Sequence, residues 1–138
     1  MYGYPGPGAT AYITHGPGPR LGGVEVQIFG VRKSPDTRAA LRFFAERRVR
    51  VHFVDLLERA ASKGELSRFA QRFGIQALLD RGSRRFAELG LAAAAYSEER
   101  WLERLVEEPL LLKLPLVRYQ QRLTVGLAEP DWRSWTGR

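Results

Sequence analysis

Two patterns of apolar and polar residues alternate along the chain, one typical of β-strands and one typical of amphipathic helices. A short run at 24–29, "VEVQIF", is rich in apolar and β-branched residues and ends at Gly30. An apolar stripe with helical spacing follows over about 35–48, and a second β-rich run, "VRVHFVDL", begins at Val49. A strand, a helix and a strand within roughly 30 residues predict a right-handed βαβ unit with two parallel strands.

The middle of the chain carries only helical signals. Ser62 and Glu65 stand at capping-box spacing at the start of "SKGELSRFAQRFG". Ser83 is a candidate cap for a short helix, and Ser97 precedes the longer amphipathic run "EERWLERLVEE", which Pro109 ends. We therefore expect a helical insertion after the second strand.

The last third of the chain predicts a hairpin and a terminal helix. Two short β-rich runs, "LVRY" and "RLTVG", leave room only for a tight turn around Gln120 and Gln121. A final turn of helix, "PDWRSW", would cover one face of the sheet with Trp132 and Trp135. The predicted fold is α/β (α+β), a four-stranded mixed sheet with the element order β-α-β, helical insertion, β-β-α.

The first 23 residues differ from the remainder in composition. They are rich in Gly and Pro, and Arg20 is their only charged residue. Such a segment buries too little apolar surface to offset its ordering entropy, so we predict a flexible leader over 1–23. A start codon chosen too far upstream would also produce it, with the protein then beginning near Val24. Residues 24–138 are predicted to form a single domain.

The composition excludes several kinds of chemistry. The chain has no cysteine, which excludes disulfides, thiolate metal sites and cysteine nucleophiles. His15 and His52 are the only histidines, so we predict no metal site and no cofactor. No apolar run approaches the ~20 residues that span a bilayer and no signal peptide is evident, so we expect a cytoplasmic protein without membrane association.

The net charge of +7, with 19 arginines among the 22 basic residues, suggests an acidic partner. Nucleic acid is one candidate, because aromatic residues interleave with arginines in "RRFAEL" and "DWRSW". However, the arginines alternate with acidic residues in stretches such as "SEERWLERLVEE", which is typical of a solvated, ion-paired surface. No nucleic-acid-binding motif is present, so we rank nucleic acid last among the partners.

Four segments in order, "IFGVRKSPDTRAAL", "LLDRGSRRFAELGL", "SEERWLERLVEEPLLLKLPLV" and "RLTVG", resemble the glutaredoxin-like arsenate reductase family, including its Spx-type regulators. The resemblance covers nearly all of 24–136 and implies a thioredoxin-like fold. In that family the loop before the first helix carries a cysteine, and Spx-type members have C-x-x-C followed by Arg. The matching stretch here is "SPDTR", with Ser34 at the first cysteine, Thr37 at the second and Arg38 at the arginine.

The replacement of cysteine by Ser34 removes the chemistry that the resemblance implies. A helix N-terminus changes a pKa by one or two units at most, which cannot ionise a hydroxyl near pH 7. An oxygen also cannot form the disulfide intermediates of thiol redox turnover. Ser before Pro and Asp is instead a favourable helix start, so we predict that Ser34 is a cap and not a nucleophile.

The oxyanion-binding arginines that the resemblance implies are missing as well. Asp80 follows the leucine pair where an arginine is expected, with Arg81 one position late, and Leu114 stands before Pro115. The third arginine has no counterpart in "LAEPDW". We therefore reject arsenate reduction. Pro115 matches the cis-proline of the family, and the resemblance then implies one groove lined by Ser34, Thr37, Leu114 and Pro115, with Arg81 as a further candidate groove residue.

Two functions remain open for this groove. The first is a non-catalytic, regulatory or protein-interaction module, as in the Spx-type relatives that bind RNA polymerase, with an acidic surface on the partner. The alternative is binding of glutathione or a small anion, or residual transferase or reductase activity, at the helix N-terminus near Ser34. Arg32, Lys33 and Arg38 would then supply positive charge.

Overall fold

The computed structural model describes residues 10–13 and 25–137, which divide into two compact units. The second unit is Ala60–Lys113, and the first is formed by the chain on both sides of it. The sequence predicts a helical insertion within one domain, and the second unit corresponds to that insertion.

The first unit is a mixed five-stranded sheet with two helices. Its strands have the order β1-β3-β2-β4-β5, with β2 and β3 parallel and the other neighbours antiparallel. The parallel pair confirms the predicted βαβ unit, and the turn at 120–121 joins β4 to β5 as predicted. The elements are β1 (Thr10–Ile13), β2 (Glu25–Gly30), α1 (Pro35–Glu46), β3 (Arg50–Asp55), β4 (Leu116–Tyr119), β5 (Arg122–Val125) and α5 (Glu129–Thr136).

Strand β1 lies within the predicted leader and was not predicted. The four predicted strands are present, and Thr10–Ile13 adds a fifth, which pairs antiparallel with β3 along the edge that the predicted sheet leaves open. Four residues of the predicted leader therefore form a strand, and the flexibility of the leader stays a prediction. The physical reason is pairing with a distant strand, which satisfies backbone groups whatever the local composition. The rest of the predicted leader lies outside the described residues.

One face of the sheet packs against α1 and α5. The indole of Trp132 is fully buried, lies 5.5 Å from the rings of both Phe43 and Phe44, and donates a 2.9 Å hydrogen bond to Thr124 Oγ1. Trp135 packs at the margin of this core, so the predicted cover by the terminal helix is confirmed. Helix α1 ends at Glu46, two residues before the predicted end, because Arg48 adopts a positive φ of 57°.

The second unit is helical, and its helix starts follow the sequence closely. Its helices are α2 (Lys63–Phe73), α3 (Arg84–Glu88) and α4 (Glu98–Glu107), with 3₁₀ turns at Ile75–Leu78 and Pro109–Leu111. Ser62 and Glu65 form the predicted capping box, and the Ser83 and Ser97 hydroxyls cap α3 and α4.

An ion pair ties α3 to the end of α4. Arg85 donates from Nε to Glu108 Oε1 at 2.8 Å and from Nη2 to Glu108 Oε2 at 3.1 Å. The hydrogen bonds from the Arg85 guanidinium lower the pKa of the Glu108 carboxyl. In the same way, the hydrogen bond with Glu99 raises the pKa of the Lys63 ammonium on α2. Both pairs are local supports of the helical unit.

Candidate functional site

The sheet topology brings four loops of the first unit to one edge. Strands β2, β3 and β5 run in the same direction and β4 runs against them, so three carboxyl ends and one amino end meet there. We call this the carboxyl edge. It comprises the loops 31–34, 56–57, 114–115 and 126–128, which include most of the predicted site residues.

Ser34 is the N-cap of α1. Its backbone is extended, with φ −74° and ψ 120°, and its Oγ accepts a 3.1 Å hydrogen bond from the Thr37 amide. Pro35 occupies the first helical turn and Asp36 adds a favourable negative charge there. This is the only hydrogen bond of the Ser34 hydroxyl among the described residues. The predicted capping role is therefore confirmed.

Most backbone amides at the start of α1 already have acceptors. The Ser34 amide donates to the Val31 carbonyl at 3.0 Å, and the Arg38 amide donates to the Ser34 carbonyl at 3.0 Å. The Thr37 amide is bound by the cap, and Pro35 has no N–H. Among residues 34–38, only the Asp36 amide is left to donate to an anion, and the Asp36 carboxylate beside it would repel that anion.

Thr37 does not line an accessible groove, which corrects the prediction. Its side chain is 0% exposed and lies over Gly30, where β2 approaches α1. A Cβ added at Gly30 would stand 2.5 Å from Thr37 Oγ1, so only glycine allows this approach. The hydroxyl has no hydrogen-bond partner among the described residues. Because the side chain is buried, a ligand cannot reach it.

The three basic residues of the loop have different surroundings. Arg38 Nη1 donates to the Arg32 carbonyl at 2.8 Å, so its side chain folds back along the loop. The Arg32 guanidinium lies 4.9 Å from the centre of the Phe53 ring. Lys33 is exposed. Together these three residues place positive charge on this side of the carboxyl edge.

The segment before β4 has the predicted backbone. The Leu114–Pro115 peptide bond is cis, and the Pro115 carbonyl accepts a 2.9 Å hydrogen bond from the Gly126 amide. Phe29 faces Leu116 in the register of β2 and β4, which places Pro115 level with Gly30 at the end of β2. Leu114 is 9% exposed and Pro115 is buried, so their side chains contribute little accessible surface to the predicted groove.

Sequence reasoning missed two apolar residues of the carboxyl edge. Leu57 follows β3 and is 58% exposed, and Leu127 follows β5 and is 52% exposed. Strand order places them on opposite sides of the loop that follows β2. The available signal was their position directly after a β-rich run and outside any helical stripe.

Asp80 and Arg81 belong to the helical unit. The Asp80 amide donates to the Leu111 carbonyl at 2.8 Å, within that unit. Arg81 Nη2 donates to Gln76 Oε1 at 2.7 Å, and its guanidinium lies 5.2 Å from the centre of the Phe86 ring. Arg81 was predicted as a groove residue, and the contacts observed for it are all local.

The described residues form neither a metal-binding cluster nor a membrane-spanning helix. Over 10–13 and 25–137, no group of three or more His, Asp or Glu side chains lies close enough together to hold a metal ion. In the same part of the chain, no helix is both long and apolar enough to cross a membrane.

Comparison with known proteins places the fold. The model of the ArsC family matches residues 29–135. The YFFB protein superposes with a TM-score of 0.72 at 23% identity, over 80% of this chain and 97% of its own. An arsenate reductase from Vibrio cholerae gives 0.66 at 23% identity, over 75% and 90% of the two chains.

A more distant structure agrees with these two. An arsenate reductase (ArsC) related protein from Brucella melitensis gives a TM-score of 0.63 at 20% identity, over 87% of this chain and 98% of its own. At such identities the similarity shows the fold, which is thioredoxin-like as predicted. Among curated proteins, no sequence matches the chain significantly.

Proposed function

Because the chain belongs to the ArsC family, we propose that it is a non-catalytic member of that family and acts as a protein-interaction module through the carboxyl edge. The observation that carries the proposal is the role of Ser34. Its hydroxyl is engaged as a helix cap, and no base among the described residues contacts it. A serine nucleophile needs an adjacent base to ionise, so the loop retains its shape without its chemistry.

The surface of the carboxyl edge favours a peptide segment over a bare oxyanion. Leu57 and Leu127 expose apolar side chains, and Arg32, Lys33 and Arg38 add positive charge between and beside them. A partner with acidic residues flanking one or two apolar ones would match both properties. The net charge of +7 would also speed its association.

The alternative function is binding of glutathione or a small anion at the start of α1. It receives less support, because among residues 34–38 only the Asp36 amide has no acceptor, and the Asp36 carboxylate disfavours an anion there. We expect phosphate and arsenate to bind no tighter than about 1 mM, or roughly −4 kcal/mol. Amide shifts confined to 31–38 that saturate at micromolar phosphate would favour the alternative.

Site-specific photo-cross-linking in the native cell tests the proposal. A photoreactive residue at Lys33 of the full chain should give a defined protein adduct. The same residue at Arg42, on the exposed side of α1, is the matched control and should give none. Leu57→Asp should remove the Lys33 adduct, whereas Phe73→Asp in the helical unit should not. Equal adducts at positions 33 and 42, or an adduct insensitive to Leu57→Asp, would overturn the proposal.

A further inference from the structure

The sheet of the first unit has a second, polar site far from the carboxyl edge. Residues Val26, Ile28 and Val51 point into the core under α1, so the alternate residues of β2 and β3 point to the opposite face. At the amino end of β2 this face carries a cavity of about 280 Å³. Five polar side chains line it: Glu25, Gln27, His52, Arg118 and Gln120.

Strand register explains why these side chains converge. Gln27 faces His52 on β3 and Arg118 on β4, so the three form one row across neighbouring strands. Glu25 lies two residues before Gln27, in the next row on the same face, and pairs in register with Arg50. Side chains of adjacent rows are about 7–8 Å apart at the backbone, which long polar side chains can span.

The cavity contains opposite charges that are not paired with each other. Arg118 directs its Nε to the Gln120 carbonyl at 2.8 Å. Glu25 instead pairs through Oε2 with Arg50 Nε at 3.3 Å. The remaining N–H groups of Arg118 and the second oxygen of Glu25 have no hydrogen-bond partner among the described residues. Two opposite charges held apart in one concave polar site attract a ligand that carries both charges itself.

We propose that this cavity binds a small zwitterionic ligand of the α-amino acid class, with its carboxylate on the Arg118 guanidinium and its ammonium on the Glu25 carboxylate. The Gln27 amide lines the same cavity and can donate to the carboxylate or accept from the ammonium. A cavity of this size is at the small end of ligand sites, which suits a single amino acid. This site is independent of the proposed function.

NMR titration of the full chain tests the proposal with three matched probes. L-Glutamine carries both charges, 4-carbamoylbutanoate lacks the ammonium, and 4-aminobutanamide lacks the carboxylate. L-Glutamine should shift the amides of 25–27, 52 and 118–120 with a Kd of about 1 mM or tighter. Each singly charged analogue should bind at least ~10-fold more weakly, which corresponds to about 1.4 kcal/mol. These three titrations use the wild-type chain, so their outcome does not depend on whether a variant folds.

Two substitutions then assign the charges. Arg118→Gln should weaken the binding of L-glutamine at least ~10-fold and leave that of 4-aminobutanamide unchanged. Glu25→Gln should also weaken the binding of L-glutamine at least ~10-fold, but it should leave that of 4-carbamoylbutanoate unchanged. Arg122→Gln, on the neighbouring strand and outside the cavity, is the control and should change none of the three. No saturable shift with L-glutamine up to about 10 mM would overturn the proposal. Equal affinities for L-glutamine and 4-carbamoylbutanoate would overturn it too, since they would show a simple anion site.

Discussion

At the scale of single residues, the hydroxyl at position 34 acts as a structural cap. We expect Ser34→Ala to lower the free energy of unfolding by about 1 kcal/mol, the usual cost of removing an N-cap acceptor. Ser34→Asp should stay near the wild type, because it keeps an acceptor for the Thr37 amide. Denaturant unfolding of the three proteins provides the measurement. An unchanged stability of Ser34→Ala would show that the cap contributes nothing.

A second residue-scale prediction concerns the contact between Gly30 and Thr37. Gly30→Ala should destabilise the protein by roughly 1–3 kcal/mol, because the new methyl would overlap Thr37 Oγ1 and Cγ2 at 2.5 and 2.6 Å. Thr37→Ala removes both of those atoms.

A double-mutant cycle at these two positions isolates the overlap. The Gly30→Ala/Thr37→Ala protein should be more stable than the sum of the single effects predicts, by at least about 0.5 kcal/mol. If the two single effects on the free energy of unfolding are strictly additive, the close approach of β2 and α1 at Gly30 does not contribute to the cost of Gly30→Ala.

At the scale of elements, the Arg85–Glu108 pair between α3 and α4 predicts a pH dependence. The pKa of Glu108 lies below its ordinary value of 4.5 in the folded chain, so its contribution is fully present above that pH. The contribution is lost as pH falls through the lowered pKa. Glu108→Gln should therefore reduce the melting temperature at pH 7, and the difference from the wild type should shrink towards pH 3.

Glu58→Gln is the control for this measurement. Glu58 is exposed, and no ion pair involves it among the described residues. Its substitution should leave the melting temperature unchanged at both pH values. A deficit of Glu108→Gln that persists unchanged at acid pH would contradict the assignment of the effect to the carboxylate charge.

Elements that depend on local chemistry could be predicted from the sequence, and those that depend on distant contacts could not. The caps at Ser34, Ser62 and Ser97 follow from side chains that bond to backbone within three residues. Strand β1 does not, because "TAYI" becomes a strand only through pairing with β3. The burial of Thr37 likewise depends on the path of β2 beneath it.

At the scale of the whole molecule, strand β1 pairs with the outer side of β3 and becomes the edge strand of the sheet. Deleting residues 1–23 would leave the outer backbone groups of β3 unpaired. We expect this deletion to lower the melting temperature by roughly 2–8 °C. Deleting residues 1–9 retains β1 and should leave it nearly unchanged. Equal melting temperatures for both truncations would show that β1 does not stabilise the sheet.

The central claim is that the chain keeps the ArsC fold without its catalysis, and thiol-dependent turnover tests it most directly. The purified full chain, supplied with arsenate or a disulfide substrate and with glutathione or a dithiol as reductant, should show no reduction above the protein-free rate. Ser34→Ala is assayed in parallel. Turnover by the wild-type chain that Ser34→Ala abolishes would contradict the account, because it would make the Ser34 hydroxyl a catalytic group.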